Sequence, residues 1–495
     1  MKGNRLVQTY QSRASCEEEV VTIVRAYAEL MSRIERTLFA RIMAGAQPAD
    51  LKSEFLKTFG ITARQFNACR VSVEGKIESI KEVNKQRIAD LEAAVEKQQK
   101  KIKKLRSTKL FFARQRLNRL THKLEKLKKD QREGIVRLCF GGRKLFHEQF
   151  ETAHVLWKKE WQEARNNSFF TLGSKDETGG NQTCTAREEN GHLILRLRLP
   201  DALQCGKYLE IPNLFFAYGH ANLLNSLKYN RAISYRFQCD KKGVRVFATT
   251  TLEEPEWQSD IRRGVIGIDL NADHLAVTEI DRFGNALTVE RVPLVTYGKS
   301  TTQSLAIIGD AAAHIVKRAT ACKKPLALER LDFQHKKREL TTHDTPTYKR
   351  MLSSFSYNRI LQAIHSRAYR HGIEVKQVDP AYTSLIGRIK FAKRYGLSTH
   401  QAAALIIGRR VLGLSEKLPR QSYVPDNRGR HIIFSVPVRK RKTRIGAHLK
   451  EVARRLQAAL VEHFRVIMNQ SSDPPLADPC DASRELLAQF QYANR

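Results

Sequence analysis

The stretch Gly264–Asp281, GVIGIDLNADHLAVTEID, decides the fold. Val265–Leu270 is an apolar run of strand length, and Leu275–Ile280 is a second one after a short polar turn. Arg282–Asn285 is typical of another turn and leads into a third predicted strand near Ala286–Arg291. The sequence therefore predicts three consecutive antiparallel strands here.

Helices and strands alternate after these three strands. The predicted elements are helices at Thr302–Ala319, Met351–Arg370 and Thr399–Gly408, and strands at Pro325–Leu328 and Ile373–Val378. Three antiparallel strands followed by β-α alternation is the order of the RNase H-like fold. We predict such an α/β domain over residues 261–415, followed by a basic C-terminal helix and tail over 416–495.

The upstream half predicts an α+β arrangement. Residues 1–14 contain a first strand, 15–167 read as a helical domain, and 168–260 contain short strands with tight turns that suggest a small β-barrel. Ser168–Gly191, rich in Gly, Asn, Ser and Thr, is predicted to be a loop and a boundary. Predicted strands follow at His192–Leu199, Lys207–Ile211, Ala232–Gln238 and Val244–Leu252.

Two heptad segments near residues 88–127 predict an antiparallel coiled-coil hairpin. Between Lys100 and Lys129 there are thirteen Lys or Arg and one acid, a net charge of +12. This face is either a solvated helix surface or an arm that contacts a nucleic-acid backbone. The candidate contacts are Lys100, Lys101, Lys103, Lys104, Arg106, Arg114 and Arg116.

Composition narrows the class of protein. The 495 residues contain 87 Lys or Arg and 51 Asp or Glu, a formal charge of +36, which argues against an ordinary enzyme of small neutral metabolites and favours nucleic acid. The hydrophobic content of 41% is enough for real cores. No apolar run is long enough to span a bilayer, and we expect neither a signal peptide nor membrane association. The eight cysteines form no CxxC pair, so the sequence indicates neither a zinc ribbon nor a disulfide framework.

Two acids stand at the ends of predicted buried strands. Asp269 ends the first strand of the α/β domain, and Glu329 closes the strand Leu326–Leu328. A buried lone carboxylate is costly and needs a partner or a metal. Two neighbouring carboxylates could hold a pair of Mg²⁺ or Mn²⁺ ions for phosphodiester hydrolysis. The alternative is that each acid only caps its strand or pairs with a local base such as Arg330.

Four stretches resemble TnpB proteins, the RNA-guided nucleases of insertion sequences related to type V CRISPR effectors. They are GVIGIDLNADHLAVTEID, LALERLDF (Leu326–Phe333), DPAYTSLIG (Asp379–Gly387) and HQAAALIIGRR (His400–Arg410). The resemblance is strong over about Gly264–Arg410 and implies a RuvC nuclease domain in which Asp269 and Glu329 are the metal-binding acids. Upstream, it implies a helical recognition insert and a wedge domain formed by the barrel.

The chain departs from the family in two places. The family's zinc module has no counterpart in Leu385–Leu397, so we predict no zinc. The family's third acid, which precedes the paired alanines, is replaced by Ser398–Gln401. His400 could complete the site as a metal ligand or by orienting water, or it could be a helix N-terminal residue without such a role. Asp379 is a further candidate ligand, and an Asp-Pro turn is the alternative.

Other side chains are candidates for contacts with a bound strand. Thr383 and Ser384 suit either phosphate contacts or a turn. Phe215, Phe216 and Tyr218 suit base stacking or a core. The basic residues beside the site are either strand contacts or a solvated surface: Arg388, Lys390, Lys393 and Arg394.

Three functions remain open at this point. The resemblance implies an RNA-guided DNA endonuclease with a guide RNA and double- and single-stranded DNA as partners, in the bacterial cytoplasm near the nucleoid. Loss of the third acid would instead leave an RNA-guided repressor that binds DNA without cutting it. The third alternative is a coiled-coil RNA-binding protein with an inert RNase H-like domain. The oligomeric state stays open.

Overall fold

The computed structural model describes residues 6–103, 105–106, 108–150, 153–175, 177–330, 357–425 and 430–470. The chain divides into two compact units, Met1–Glu254 and Pro255–Arg495. None of the described helices is both long enough and apolar enough to cross a membrane.

The strands of the first unit form two antiparallel sheets. The first has the order β1-β7-β6-β2 and the second the order β3-β4-β5. The strands are β1 (Val7–Ala14), β2 (Ser168–Thr171), β3 (Cys184–Glu189), β4 (His192–Arg198), β5 (Tyr208–Leu214), β6 (Ile233–Asp240) and β7 (Gly243–Thr251). β1 pairs with β7 along its whole length, as expected for an N-terminal strand that joins the later ones. The closed barrel stays a prediction, because the pairings between the described residues define two sheets.

Six α-helices of very different length separate β1 from β2 in the described part of the chain. They are α1 (Glu18–Met43), α2 (Pro48–Phe59), α3 (Ala63–Ile102), α4 (Thr108–Arg132), α5 (Arg143–His147) and α6 (His154–Asn166), and α7 (His220–Lys228) comes later. The amphipathic α1 buries Val24, Ile34 and Leu38 completely. Helices therefore occupy the region that the sequence predicts to be helical, and its status as a separate domain stays a prediction.

The helices α3 and α4 pack side by side. Gln98 on α3 is buried and donates from Nε2 to the Ala113 carbonyl of α4 at 2.9 Å. Lys128 on α4 forms an ion pair with Glu92 on α3 at 2.7 Å. These contacts define a helical hairpin whose tip lies near the start of α4.

The second unit is built on a mixed five-stranded sheet of order β10-β9-β8-β11-β12. β8 pairs antiparallel with β9, β9 with β10, and β11 lies parallel to both β8 and β12. These strands are β8 (Val265–Leu270), β9 (His274–Ile280), β10 (Ala286–Pro293), β11 (Leu326–Glu329) and β12 (Val375–Val378). Three antiparallel strands followed by strands that alternate with helices is the succession that the sequence predicts.

Helices cover both faces of this sheet. They are α8 (Thr301–Cys322), α9 (Tyr357–Arg370), α10 (Thr383–Lys390), α11 (Ala392–Tyr395), α12 (Thr399–Val411) and α13 (Ile445–Gln470). One core joins α8 and α9 to the face that carries Ile266, Ile268 and Leu328. A second joins α10, α12 and α13 to the face that carries Val265 and Ala327. Because side chains alternate along a strand, Asp269 and Glu329 lie on this second face.

Several elements differ from the sequence predictions. The predicted loop Ser168–Gly191 contains all of β2 and β3, because the buried Asn181 side chain bonds to backbone groups of Ile233, Thr183 and Cys184. Leu385–Leu397, for which the sequence predicts no helix, contains most of α10 and all of α11. The C-terminal region contains an unpredicted hairpin, β13 (Gln421–Pro425) with β14 (His431–Ser435). Residues 351–356 of one predicted helix lie outside the described residues.

Candidate active site

Asp269 and Glu329 occupy neighbouring positions on adjacent parallel strands. Leu328 pairs with Ile268, so the next residue of β11 is level with the next residue of β8. Neighbouring strands lie about 4.8 Å apart. Both acids point to the face covered by α10 and α12, and their exposed fractions are only 6% and 7%. The two acids, far apart in the sequence, thus converge on one buried place.

His400 contacts Asp269 directly. Its Nδ1 lies 3.1 Å from Asp269 Oδ2, and the Asn271 amide donates to the same oxygen at 3.0 Å. Burial acts to lower the pKa of His400, but the hydrogen bond and the negative charges of Asp269 and Asp273 outweigh it and raise that pKa above its ordinary value. His400 therefore lies in the place that the sequence suggests, beside the first acid.

Sequence reasoning missed a second histidine at this edge of the sheet. His274 begins β9 on the same face as Asp269, and its ring centroid lies 5.2 Å from that of His400. Its Nδ1 lies 2.7 Å from Asp273 Oδ1, and Arg291 donates to the other oxygen of that carboxylate. Burial lowers the pKa of His274 despite the Asp273 charge. The signal available in the sequence was the alternation along β9, which places position 274 on the face of the acids.

Thr383 supports Glu329 from α10. Its hydroxyl is buried and lies 2.9 Å from Glu329 Oε1. The preceding Tyr382 has φ +62, a left-handed conformation that costs a non-glycine residue about 1 kcal/mol or more. This turn directs the first residue of α10 back onto the end of β11. Thr383 is thus a hydrogen-bond partner of the acid at the turn that begins α10, and its contact with a phosphate stays a prediction, as does that of the partly exposed Ser384.

The position of His400 is fixed by how α12 begins and packs. Ser398 accepts from the Gln401 amide, and the Gln401 side chain accepts from the Ser398 amide, a capping box. Thr278 on β9 donates to the Gln401 carbonyl at 2.9 Å. At Gly267, an added Cβ would lie 2.0 Å from the Ala404 carbonyl oxygen. The helix therefore lies backbone to backbone on β8, with its N-terminal, partly positive end at the acids.

Asp379 adopts the turn alternative. Its side chain is exposed, and Oδ1 accepts from the Ala381 amide at 2.9 Å. Its carbonyl oxygen accepts from Arg410, which ties the turn to α12. The carboxylate thus accepts a hydrogen bond within a local turn, and its role as a metal ligand stays a prediction.

Two of the basic residues predicted to contact a strand have structural partners instead. Arg388 is 3% exposed and donates to the Pro425 carbonyl, so it joins α10 to β13. Lys390 pairs with the buried Glu416 at 2.5 Å. The guanidinium of Arg388 therefore lies inside the unit, and its contact with a bound strand stays a prediction. Lys393 and Arg394 are exposed, with Lys393 Nζ over the Tyr423 ring at 3.3 Å.

The basic arm is a surface of the helical hairpin. Lys104 lies outside the described residues. Six predicted contacts are exposed: Lys100, Lys101, Lys103, Arg106, Arg114 and Arg116. Lys100 pairs with Glu96 at 2.5 Å. Of the three candidate stacking aromatics, Phe216 is fully buried in the core, whereas Phe215 and Tyr218 are exposed.

The donor set of the site suits a hard divalent cation only in part. Two buried carboxylates on one face offer the oxygen ligands that Mg²⁺ prefers. Within the described segments, however, no group of three or more His, Cys, Asp or Glu side chains is arranged as metal ligands. Asp269 and Glu329 are therefore the residues that fit a metal, and His400 is an adjacent nitrogen donor held by one of them.

Comparisons with known proteins add likenesses to solved structures. No family model matches the sequence, and no curated protein matches it. The chain is similar to RuvC of T. thermophilus in complex with Holliday junction substrate, at 17% identity and a TM-score of 0.21, over 29% of this chain and 89% of that one. It is also similar to a Cas12f1–sgRNA–target DNA complex, at 12% identity and a TM-score of 0.22, over 81% and 99%. A third likeness is to a CRISPR–Cas12f ternary complex, at 12% identity and a TM-score of 0.22, over 83% of this chain and 99% of that one. Values this low do not identify a family.

Proposed function

We propose that the protein is a divalent-metal-dependent DNA endonuclease with a RuvC-like site, guided by a bound RNA in the manner of TnpB. The observation that carries the proposal is the level placement of Asp269 and Glu329 on adjacent parallel strands, both buried on one face. Packing of a sheet does not require two carboxylates at such positions, and leaving them there uncompensated is costly. A shared cation relieves that cost.

Asp269 and Glu329 would hold the metal, and a bound divalent ion would supply Lewis-acid activation of the phosphodiester and of water. Other residues of the chain orient these two carboxylates. Thr383 orients Glu329, Asn271 and His400 orient Asp269, and the first turns of α10 and α12 direct positive dipole ends toward the negative charge. His400, in contact with Asp269, can serve as an adjacent metal ligand or orient the attacking water.

The nucleic-acid partners follow from charge and from the resemblance. A formal charge of +36 favours binding of an extended polyanion. The exposed cations of the hairpin α3–α4 suit the phosphates of a guide RNA or of the RNA–DNA heteroduplex. In this proposal base pairing reads the target, and the protein reads the duplex backbone and a short flanking motif.

A cleavage assay tests the assignment of Asp269 to the catalytic site. It compares wild type with Asp269→Ala on a target that matches the guide RNA. The variant should lose cleavage with Mg²⁺ and Mn²⁺ while retaining guide RNA and target DNA, because the carboxylate lies at the reacting centre and not among the cations of the basic arm. Asp379→Ala is the matched control, since Asp379 serves a turn, and it should cleave like wild type. Unchanged cleavage by Asp269→Ala would refute the assignment.

One observation favours a second candidate, an RNA-guided DNA-binding repressor that does not cut. Asp269 is engaged by His400 and Asn271, and no third carboxylate joins the two acids among the described residues. Wild-type protein with its co-purified RNA, incubated with a matched target and either metal, separates the two functions. Tight binding with no cleaved product would establish the repressor, and robust cleavage would exclude it.

Sequencing of that co-purified RNA tests guidance itself. A discrete RNA from the neighbouring locus is the expected result. Bulk cellular RNA would contradict guidance and would favour a structural RNA-binding protein.

A further inference from the structure

Two phenylalanines lie exposed at the tip of the basic hairpin. Phe111 and Phe112, in the first turn of α4, have exposed fractions of 60% and 65%. Their rings meet edge to face, with centroids 5.7 Å apart. The next residue, Ala113, is buried against α3 and accepts from Gln98. The two helices of the hairpin are thus in contact at the residue next to the rings, whereas both rings are exposed to solvent.

Cations stand close to this aromatic pair in the sequence of the hairpin. Six exposed ones lie at the end of α3, in the connection to α4 and in the first turns of α4: Lys101, Lys103, Arg106, Lys109, Arg114 and Arg116. Within the described part of the chain, none of the six has an acidic partner. The tip therefore presents two apolar ring faces within a field of uncompensated positive charge.

We propose that this tip is a binding site for an unpaired nucleic-acid strand, with bases stacked on Phe111 and Phe112 and phosphates on the surrounding cations. A protein partner would have to match six cations around a small apolar spot. An unpaired strand carries both features at once, since each nucleotide has one flat apolar face and one negative charge. In a duplex the base faces are covered by their neighbours, so the rings favour single strands.

The proposal predicts indifference to the sugar. The groups on which the proposal rests are rings and cations, which contact base faces and phosphates shared by DNA and RNA. Recognition of RNA over DNA relies on contacts to the 2′-hydroxyl. The site also does not depend on the proposed cleavage, so a failure of one leaves the other standing.

The test is fluorescence anisotropy of the full chain with a labelled single-stranded DNA, the same sequence as RNA, and the corresponding duplex, all in EDTA so that no metal-dependent cleavage occurs. The double variant Phe111→Ala/Phe112→Ala should bind single strands about tenfold more weakly, since stacking on an aromatic side chain contributes that much or more per base. Its duplex affinity should stay within about twofold, and the salt dependence of binding should keep its slope because no charge is removed. Val83→Ala, an exposed apolar residue on α3, is the matched control and should bind like wild type.

Two further variants separate stacking from charge and from misfolding. Phe112→Trp should retain binding, and its added indole fluorescence should be quenched by single-stranded DNA but not by duplex. Lys101→Gln/Lys103→Gln should lower the salt slope by up to about 1.4, about 0.7 for each single-strand phosphate that is no longer neutralised.

Three results would overturn the proposal. The first is an equal decrease of single-strand and duplex affinity in the double alanine variant. The second is wild-type affinity in that variant together with unchanged indole fluorescence when single-stranded DNA is added to the Phe112→Trp variant. The third is wild-type self-association in sedimentation that the double alanine variant abolishes, which would identify the tip as an interface between copies of this chain.

Discussion

At the scale of single residues, the centre of the site is a buried carboxylate that is hydrogen-bonded to an amide and an imidazole. Asp269 accepts from Asn271 and contacts His400, a residue whose pKa is raised by that contact. A charge-assisted hydrogen bond of this kind compensates part of the cost of burying the carboxylate. His400 therefore stabilises the site in the absence of metal as well as standing where a ligand would be useful.

Removal of the His400 imidazole should impair cleavage. We expect His400→Ala to lower the single-turnover rate by about 10²-fold, because both the partner of Asp269 and a proton donor are removed. His400→Asp should recover part of the rate with Mg²⁺, since it supplies a harder oxygen ligand. Rates measured with Mg²⁺ and Mn²⁺ check this, and His431→Ala, an exposed histidine on β14, is the control. A full rate in His400→Ala would show that the residue serves stability alone.

The hydroxyl of Thr383 should be needed for the same reaction. Thr383→Val keeps the shape but removes the group that donates to Glu329, so the unit should lose about 1–2 kcal/mol of unfolding free energy and much of its cleavage rate. Thr383→Ser keeps the donor and should retain both. Urea unfolding with a parallel cleavage assay measures the pair of effects. Equal behaviour of the Val and Ser variants would contradict a positioning role.

At the scale of elements, the contact between β8 and α12 holds the site together. The absence of a side chain at Gly267 lets the backbone of α12 approach the strand, and Gly408 makes a similar space against Ile280 and Val265. Interiors are close-packed, so such a contact has no slack. The distance between Asp269 and His400 therefore depends on a glycine two residues away from the acid.

Gly267→Ala should separate the helix from the strand. Its Cβ would lie 2.0 Å from the Ala404 oxygen, so we expect a decrease of about 3 kcal/mol or more in unfolding free energy and loss of cleavage. The matched control is Gly309→Ala on α8, where no atom lies within 4 Å of the added carbon. That change should instead stabilise the helix by about 0.5–1 kcal/mol. Chemical unfolding of both variants checks the opposite signs.

An ion pair at the end of three strands should make the first unit sensitive to acid. Asp240 accepts two hydrogen bonds from Arg13 on β1 and pairs with Arg245 on β7. The Arg13 hydrogen bonds and the Lys242 amide hold the pKa of Asp240 well below its ordinary value. A lowered pKa contributes stability that is present above the unfolded pKa, about 3.9, and is lost as the pH falls toward the folded one.

Asp240→Asn is the variant that measures this contribution. The stability difference between wild type and variant should be constant from about pH 7 to 5 and should shrink below about pH 4. Thermal unfolding across this range is the measurement. A difference that persists undiminished at about pH 2 would show that the carboxylate charge is not its source.

The sequence predicted the sheet of the second unit because its strands are marked locally. Apolar runs of strand length, separated by turns such as Arg282–Asn285, identify β8 to β10 without knowledge of any tertiary contact. The acids Asp269 and Glu329 were also visible, since a charge at the end of an apolar run is conspicuous. Their level placement required only the parallel pairing of β8 and β11.

The features that could not be predicted from the sequence depend on partners elsewhere in the chain. The segment around β3 has loop composition, and its structure relies on Asn181, whose side chain joins the nearby Cys184 amide to the distant Ile233 carbonyl. Arg388 looks like any surface cation until the Pro425 carbonyl accepts from it. His274 gains meaning only when β9 brings it to His400. Such contacts have no periodicity to detect.

At the scale of the whole molecule, the excess of positive charge should govern affinity. We expect the logarithm of the binding constant for duplex DNA to fall linearly with the logarithm of salt concentration. Arg114→Gln/Arg116→Gln should reduce this slope by up to about 1.8, about 0.9 for each duplex phosphate that is no longer neutralised. Lys81→Gln, whose charge is paired with Glu78, is the control and should leave the slope unchanged. An unaltered slope in the arginine variant would place the arm outside the DNA footprint.

The capped and tightly seated first turn of α12 also makes position 400 an unusual place for engineering. The Ser398 cap, the Thr278 hydrogen bond and the close approach of α12 to Gly267 fix the backbone there. A different side chain at position 400 would therefore have its Cα in the same place beside Asp269. A saturation library at this one codon would thus compare oxygen, nitrogen and sulfur donors at constant backbone geometry. Selection of that library in Mg²⁺, Mn²⁺ or Co²⁺ media would show how the side chain at position 400 changes the metal preference of the site.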